Sequence, residues 1–304
     1  MTPSHTWIGY LWRTPICALA YVLGSVIGVV VLPPFGVSLP AVPQAADPQT
    51  MMRDMIVAAL VLAAGLTPLS CYLAGRLHTR VAILSALIWV CATLNTVIEA
   101  RIFTTLFAQG GALGSVLHGI LPSLLCGAAL AVFIHPGASA WQSHSNLAAY
   151  FTFRRPHSWA WRLLLAILAF PAVYFAFGAA IAPIVMPYYT SSSMGLVVPN
   201  PGTILLTQLG RSALFLLVSL PVLAFWAGSL RRLAVSLGLA HWVLVGLFGL
   251  VQASWFPPIL RITHGIEICA DSFAYAVVLV ALLGVSRLPR QQKTQTTEET
   301  AMAA

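Results

Sequence analysis

Residues 68–76 read PLSCYLAGR and residues 221–229 read PVLAFWAGS. Pro68 matches Pro221, and Ala74-Gly75 matches Ala227-Gly228. Further on, Trp89 matches Trp242 and Phe103 matches Phe256. The four pairs share one offset: 221−68, 227−74, 242−89 and 256−103 each give 153. His118-Gly119-Ile120 recurs as His264-Gly265-Ile266 at offset 146, and Trp12-Arg13 recurs as Trp161-Arg162 at offset 149. A self-similarity this long specifies architecture before any helix is read. Each half reads as four apolar helices.

The solvent follows from composition. The 304 residues are 59% hydrophobic and 7% charged, against about 25% charged in a soluble domain. Lipid must cover this much apolar surface. The 15 Lys and Arg exceed the 7 Asp and Glu, for a formal charge of +8. No basic stripe interleaved with aromatics marks a nucleic-acid face, so no nucleic-acid partner is expected. Cys17, Cys71, Cys91, Cys126 and Cys269 lie in apolar segments without a Cys-x-x-Cys pair. They read as free buried thiols.

A spanning helix needs about 20 apolar residues. Eight segments qualify: 14–35, 53–74, 81–104, 113–134, 162–186, 205–230, 233–256 and 264–286. The first has a counterpart within the second half, which argues for a retained helix rather than a cleaved leader. The expected architecture is an all-α polytopic membrane protein, a tandem 4+4 repeat. It comprises a first four-helix unit (1–134), a cytoplasmic linker (135–160), a second unit (161–287) and a disordered tail (288–304). Four is an even number, so both repeats enter the membrane with the same orientation, as in parallel-repeat transporters.

The basic residues sort by side. Arg13, Arg76, Arg80, Arg154, Arg155, Arg162, Arg231, Arg232, Arg287, Arg290 and Lys293 fall on one, and Arg53, Arg101, Arg211 and Arg261 on the other. That is 11 against 4, which puts both termini in the cytoplasm, with a bacterial inner membrane as the assumed location. Trp7, Trp12, Trp159 and Trp161 gather at the same face, as an aromatic belt would.

Few ionisable residues are left at membrane depth, where each costs about 2.5–3.5 kcal/mol on insertion scales and is a functional candidate by default. His264, Glu267 and Asp271 are spaced i, i+3 and i+7, which puts them within roughly 60° on one helix face. From Ser272 to Val285 only 14 residues remain, about 21 Å of helix against a core of about 30 Å. The acids therefore belong in the outer half of the bilayer. Asn95 and Glu99 share a side of the third segment, with Arg101 as a neighbour that could neutralise Glu99. His118 is the counterpart of His264, but Leu121 and Leu125 replace the acids there. The acids thus belong to one copy each, which singles them out, whereas the repeated His-Gly reads equally well as packing. His241, alone on an apolar helix, reads as a packed side chain.

Four uses compete for this cluster. It could bind a small-molecule or ion substrate, or a proton, in a transporter or permease. His264, Glu267 and Asp271 could ligate a divalent metal, although His-x-x-Glu is a weak signal and a fourth ligand must come from elsewhere. His118 and His264 could hold a haem, on a thin two-histidine signal. The fourth use is a buried polar network that only joins helices. No Walker, His-Glu-x-x-His, Gly-x-Ser-x-Gly or dinucleotide motif occurs, so no coupled ATPase or soluble-type hydrolase is expected. The leading reading is transporter-like, with Glu99, Asn95, His118, His264, Glu267 and Asp271 around one site between repeats. The rivals are an intramembrane metal or acid–base enzyme, and a non-catalytic assembly subunit with a protein partner.

Overall fold

The computed structural model describes residues 7–39, 47–134, 147–191 and 194–285. The proposed tail and linker residues 135–146 lie outside these. The described chain is helical, with eight helices long and apolar enough to cross a membrane. They are α1 (Trp7–Val31), α2 (Pro48–Tyr72), α3 (Leu77–Phe103), α4 (Ala112–Phe133), α5 (Pro156–Thr190), α6 (Pro201–Ala224), α7 (Leu230–Gln252) and α8 (Pro258–Leu283). A short helix, Leu147–Thr152, precedes α5.

The eight apolar runs are the eight helices, but several begin earlier than hydropathy suggests. The reason is proline. Pro48, Pro156, Pro201 and Pro258 each occupy the first turn of a helix, where a missing N–H costs nothing and φ is already helical. α5 is the extreme case at 35 residues, and it absorbs residues 156–160 that read as linker.

Two of these starts carry matching caps at the 153-residue offset. The Asp47 carboxylate accepts from Thr50 N–H at 2.8 Å, and the Asn200 amide oxygen accepts from Thr203 N–H at 2.8 Å. The bond from Thr50 holds the Asp47 carboxyl below its ordinary value of 3.8. A depressed value means the cap contributes at neutral pH and loses that contribution as pH falls through the folded-state value. Asn200 does not titrate. Asn200→Ala should therefore cost about 1 kcal/mol at any pH. The cost of Asp47→Ala should be present at pH 7 and vanish on acidification. Detergent-solubilised unfolding at two pH values checks both.

Helices α2, α3, α6 and α7 form the centre. α1 and α4 flank one side of it, and α5 and α8 the other. Between halves, α2 packs on α7 and α3 on α6. Small residues let the helices approach. A Cβ on Gly24 of α1 would lie 2.5 Å from Pro122 Cα of α4, so this crossing is specific for glycine. Large apolar side chains such as Leu11 and Leu206 face outward at more than 70% exposure, as lipid contact requires.

Both α3 and α7 widen into π-helix, at Trp89–Asn95 and Trp242–Leu247, and both π segments open on the equivalent tryptophan. Trp89 Nε1 donates to Val116 O and Trp242 Nε1 to Gly265 O, each at 2.9 Å. After α2 and α6 the chain forms a reciprocal pair: Ala74 N–H donates to Phe225 O at 2.8 Å, and Ala227 N–H to Tyr72 O at 2.9 Å. At the other end, Thr105 N–H donates to Gly195 O and Val197 N–H to Phe103 O.

Arginine closes the helix ends nearest the reciprocal pair. Arg80, fully buried, donates to the Ala131 and Ile134 carbonyls at the end of α4. Arg154 and Arg162 donate to the Leu282, Leu283 and Gly284 carbonyls of α8. These carbonyls have no intrahelical donor, and a cation there also opposes the helix dipole. Trp161 and Trp12 are exposed, each with an arginine over its ring. Trp159 departs from the belt: it is buried and donates to Phe151 O at 2.7 Å.

Candidate cavity and its buried polar cluster

A cavity of about 970 Å³ opens at the end of the bundle where the segment after α3 meets the loop between α5 and α6 through Thr105 and Gly195. Its polar wall is built by Glu99, His264, Glu267 and Asp271, and its aromatic wall by Phe103, Tyr174, Tyr189, Trp255 and Phe256. α8 presents His264, Glu267 and Asp271 together because their spacing follows its turn.

His264 links two helices. Its Nδ1 lies 2.8 Å from Glu267 Oε2 and its Nε2 3.4 Å from Tyr189 Oη. A carboxylate can only accept, so opposite Glu267 in its ionised form Nδ1–H donates, and in neutral imidazole Nε2 accepts from the tyrosine. Gly178 of α5 faces Glu267: a Cβ there would come 3.3 Å from Oε1. Asp271 is 5% exposed, and its Oδ1 is buried without a hydrogen-bond partner. It is 13 residues from Pro258 (271−258) and 12 from Leu283 (283−271). That places it near the middle of α8.

Glu99 pairs with Arg211, not with its neighbour Arg101. Arg211 Nη1 donates to Glu99 Oε1 at 2.5 Å and to Gln208 Oε1 at 2.9 Å. Its guanidinium carbon lies 5.8 Å and 5.7 Å from the ring centroids of Phe170 and Phe215. Arg211 is 1% exposed and sits 10 residues into α6 (211−201). It is therefore the cation of the buried cluster rather than one of the flanking charges among which the count placed it. Removing it from the count leaves 11 against 3.

The remaining candidates are elsewhere. His118 contacts α1, with Nε2 3.0 Å from Ser25 O and its ring against Gly28. Asn95 is fully buried in the π segment of α3. Neither lines the cavity. Among the described residues no three His, Cys, Asp or Glu side chains converge as a metal-ligand set. His264, Glu267 and Asp271 share a face but not a coordination geometry.

The cavity region thus contains three carboxylates, one guanidinium and one imidazole, beside an aromatic wall. In a low-dielectric site an excess of carboxylate favours a proton or a cationic group. Sequence reasoning missed Arg211, Gln208, Tyr174 and Tyr189. A signal for the first two existed, since Gln208 and Arg211 stand i, i+3 inside an apolar run. Comparison with models of known families, with curated proteins and with solved structures gave no match.

Proposed function

We propose that this chain is a transporter- or permease-like integral membrane protein whose outer cavity takes up a proton or a cationic group. The carrying observation is that Glu99, His264, Glu267 and Asp271 line one cavity whose only buried guanidinium partner, among the described residues, is already paired with Glu99. Asp271 and Glu267 hold the positive charge. His264 and Tyr189 orient Glu267 and accept or return its proton. The aromatic wall takes the apolar body of an organic cation, by cation–π contact and burial.

The same reading treats the chain as two parallel four-helix repeats with both termini in the cytoplasm of a bacterial inner membrane. The matching caps, the π segments and the reciprocal Ala74 and Ala227 hydrogen bonds, all at a 153-residue offset, support the repeat, and the orientation rests on the excess of basic residues on one side. An isologous contact of this kind is what a two-fold relation between copies produces. A single cysteine at Arg154 should label from the cytoplasm only.

The probe is tetraphenylphosphonium, with proton movement followed by a pH dye trapped in proteoliposomes. The wild-type protein should bind the probe and move protons or probe down an imposed gradient. Glu267→Gln and Asp271→Asn should each weaken binding about ten-fold, or about 1.4 kcal/mol, because the phosphonium has no hydrogen-bond donor and loses only its charge attraction to the carboxylate. Binding and flux that persist unchanged in both variants would sink the proposal.

A further inference from the structure

Behind the cavity lies a second void of about 30 Å³. Glu99, Tyr174 and Asp271 line both, so the small void is the inward extension of the large one. Arg211, His241 and Tyr275 line the small one alone. Of its lining residues, Arg211 and Asp271 each hold one buried polar atom, Nε and Oδ1, without a hydrogen-bond partner. One is a donor and the other an acceptor. Leaving both dry is costly, and a site of this size has room for about one or two waters, which need two to four polar partners each.

His241 forms the far wall. It is buried, its Nε2 lies 3.2 Å from Ser219 Oγ, and its ring stacks 6.3 Å from that of Tyr275. Tyr275 Oη is 3.3 Å from Ser212 Oγ. His241 also immediately precedes the π segment of α7, whose Val245 lines the void. π-helical turns recur at functional sites because they re-aim side chains out of the regular register.

We propose that this void holds water and relays protons between Asp271 and His241, which makes His241 an inner protonation site. The proposal rests on the outer cavity taking up protons as described above. The Asp271 O–H bond breaks, the bridging water accepts that proton and passes another to the imidazole, and a carboxylate and an imidazolium result. The net charge of the pair is unchanged. Ser219 Oγ accepts from Nε2–H of the imidazolium. The other charged or titratable groups around His241 are Glu99 and Cys91 on α3, Tyr174 on α5, Arg211 on α6 and Tyr275 on α8. α2 contributes none to the lining.

The test uses histidine-¹⁵N protein in lipid bilayers, with the His241 resonance identified by its loss in His241→Asn. Magnetisation should pass from water to the His241 ring. Its titration midpoint should move by about one pH unit or more in Asp271→Asn, the size expected of directly coupled sites. Ser272→Leu, which fills the void without removing a charge, should abolish the water contact. A dry ring in the wild type, or a titration indifferent to Asp271→Asn, would overturn the relay. None of these signals needs a transported substrate. Asp271-linked titration in a protein that neither binds tetraphenylphosphonium nor moves protons would sink the transport reading alone. Proton flux undiminished in His241→Asn would sink the relay alone.

Discussion

Arg211→Leu should destabilise the protein by about 3 kcal/mol, the low end of the range for breaking a buried ion pair. The low end applies because Glu99 keeps 27% side-chain exposure toward the cavity and can draw on water there. The loss has three parts. Glu99 is left as an uncompensated carboxylate, Gln208 Oε1 loses its donor, and Phe170 and Phe215 lose the cation between them. The guanidinium itself is an expensive group to hold at this depth, so its removal gives some desolvation energy back. That sets up the decisive comparison. Adding Glu99→Gln to Arg211→Leu removes the orphaned charge and should recover most of the stability. Unfolding of both variants in lipid–detergent micelles measures the difference. A single variant within about 0.5 kcal/mol of wild type, the range of an ordinary surface change, would mean that the pair contributes little to the fold.

The second large effect is expected at Gly24. A Cβ there would meet Pro122 Cα at 2.5 Å and Pro122 N at 2.7 Å. These are backbone atoms, so no rotamer can relieve the clash and α1 must move off α4. Overpacking of this kind costs about 1–3 kcal/mol, and Gly24→Leu should lie at or beyond the upper end. It should also strain the His118–Ser25 contact one turn away. Gly28 makes a useful contrast. The added atom would meet His118 Cδ2 at 2.8 Å, an imidazole edge that can turn, so Gly28→Ala should cost less. Thermal unfolding of Gly24→Leu beside Gly28→Ala reads both. A Gly24→Leu protein as stable as wild type would show that α1 is not held against α4 by this crossing.

The spans were legible because apolar run length is a one-dimensional signal and the bilayer sets its scale. The helix starts were less so. Pro48, Pro156, Pro201 and Pro258 look like loop residues until it is known that the N–H they lack would have had no acceptor. The spacing of His264, Glu267 and Asp271 carried directly into the cavity wall, since positions along one helix depend only on its turn. Glu99 reached the same wall with a partner that the sequence did not name. Counting arginines by flank treated Arg211 as a topology signal, whereas a guanidinium in mid-helix is a statement about which other helix faces it. His118 and Asn95 show the converse. Both matched the polar pattern, yet His118 packs against Ser25 and Gly28 of α1 and Asn95 is buried in the π segment of α3, placements that no residue count reveals.

The reciprocal amides of Ala74 and Ala227 have a mechanical meaning. Two hydrogen bonds side by side join the halves at the end remote from the cavity. Prising the halves apart at that end breaks both at once, together with the tilted ring contact of Tyr72 and Trp226. The far end is tied in the same way, where the segment after α3 and the loop between α5 and α6 meet over the cavity mouth through Thr105 and Gly195 and through Phe103 and Val197. The void beside His241 lies between these two ties and is lined from both halves, by Glu99 of the first and by Arg211, Asp271 and Tyr275 of the second.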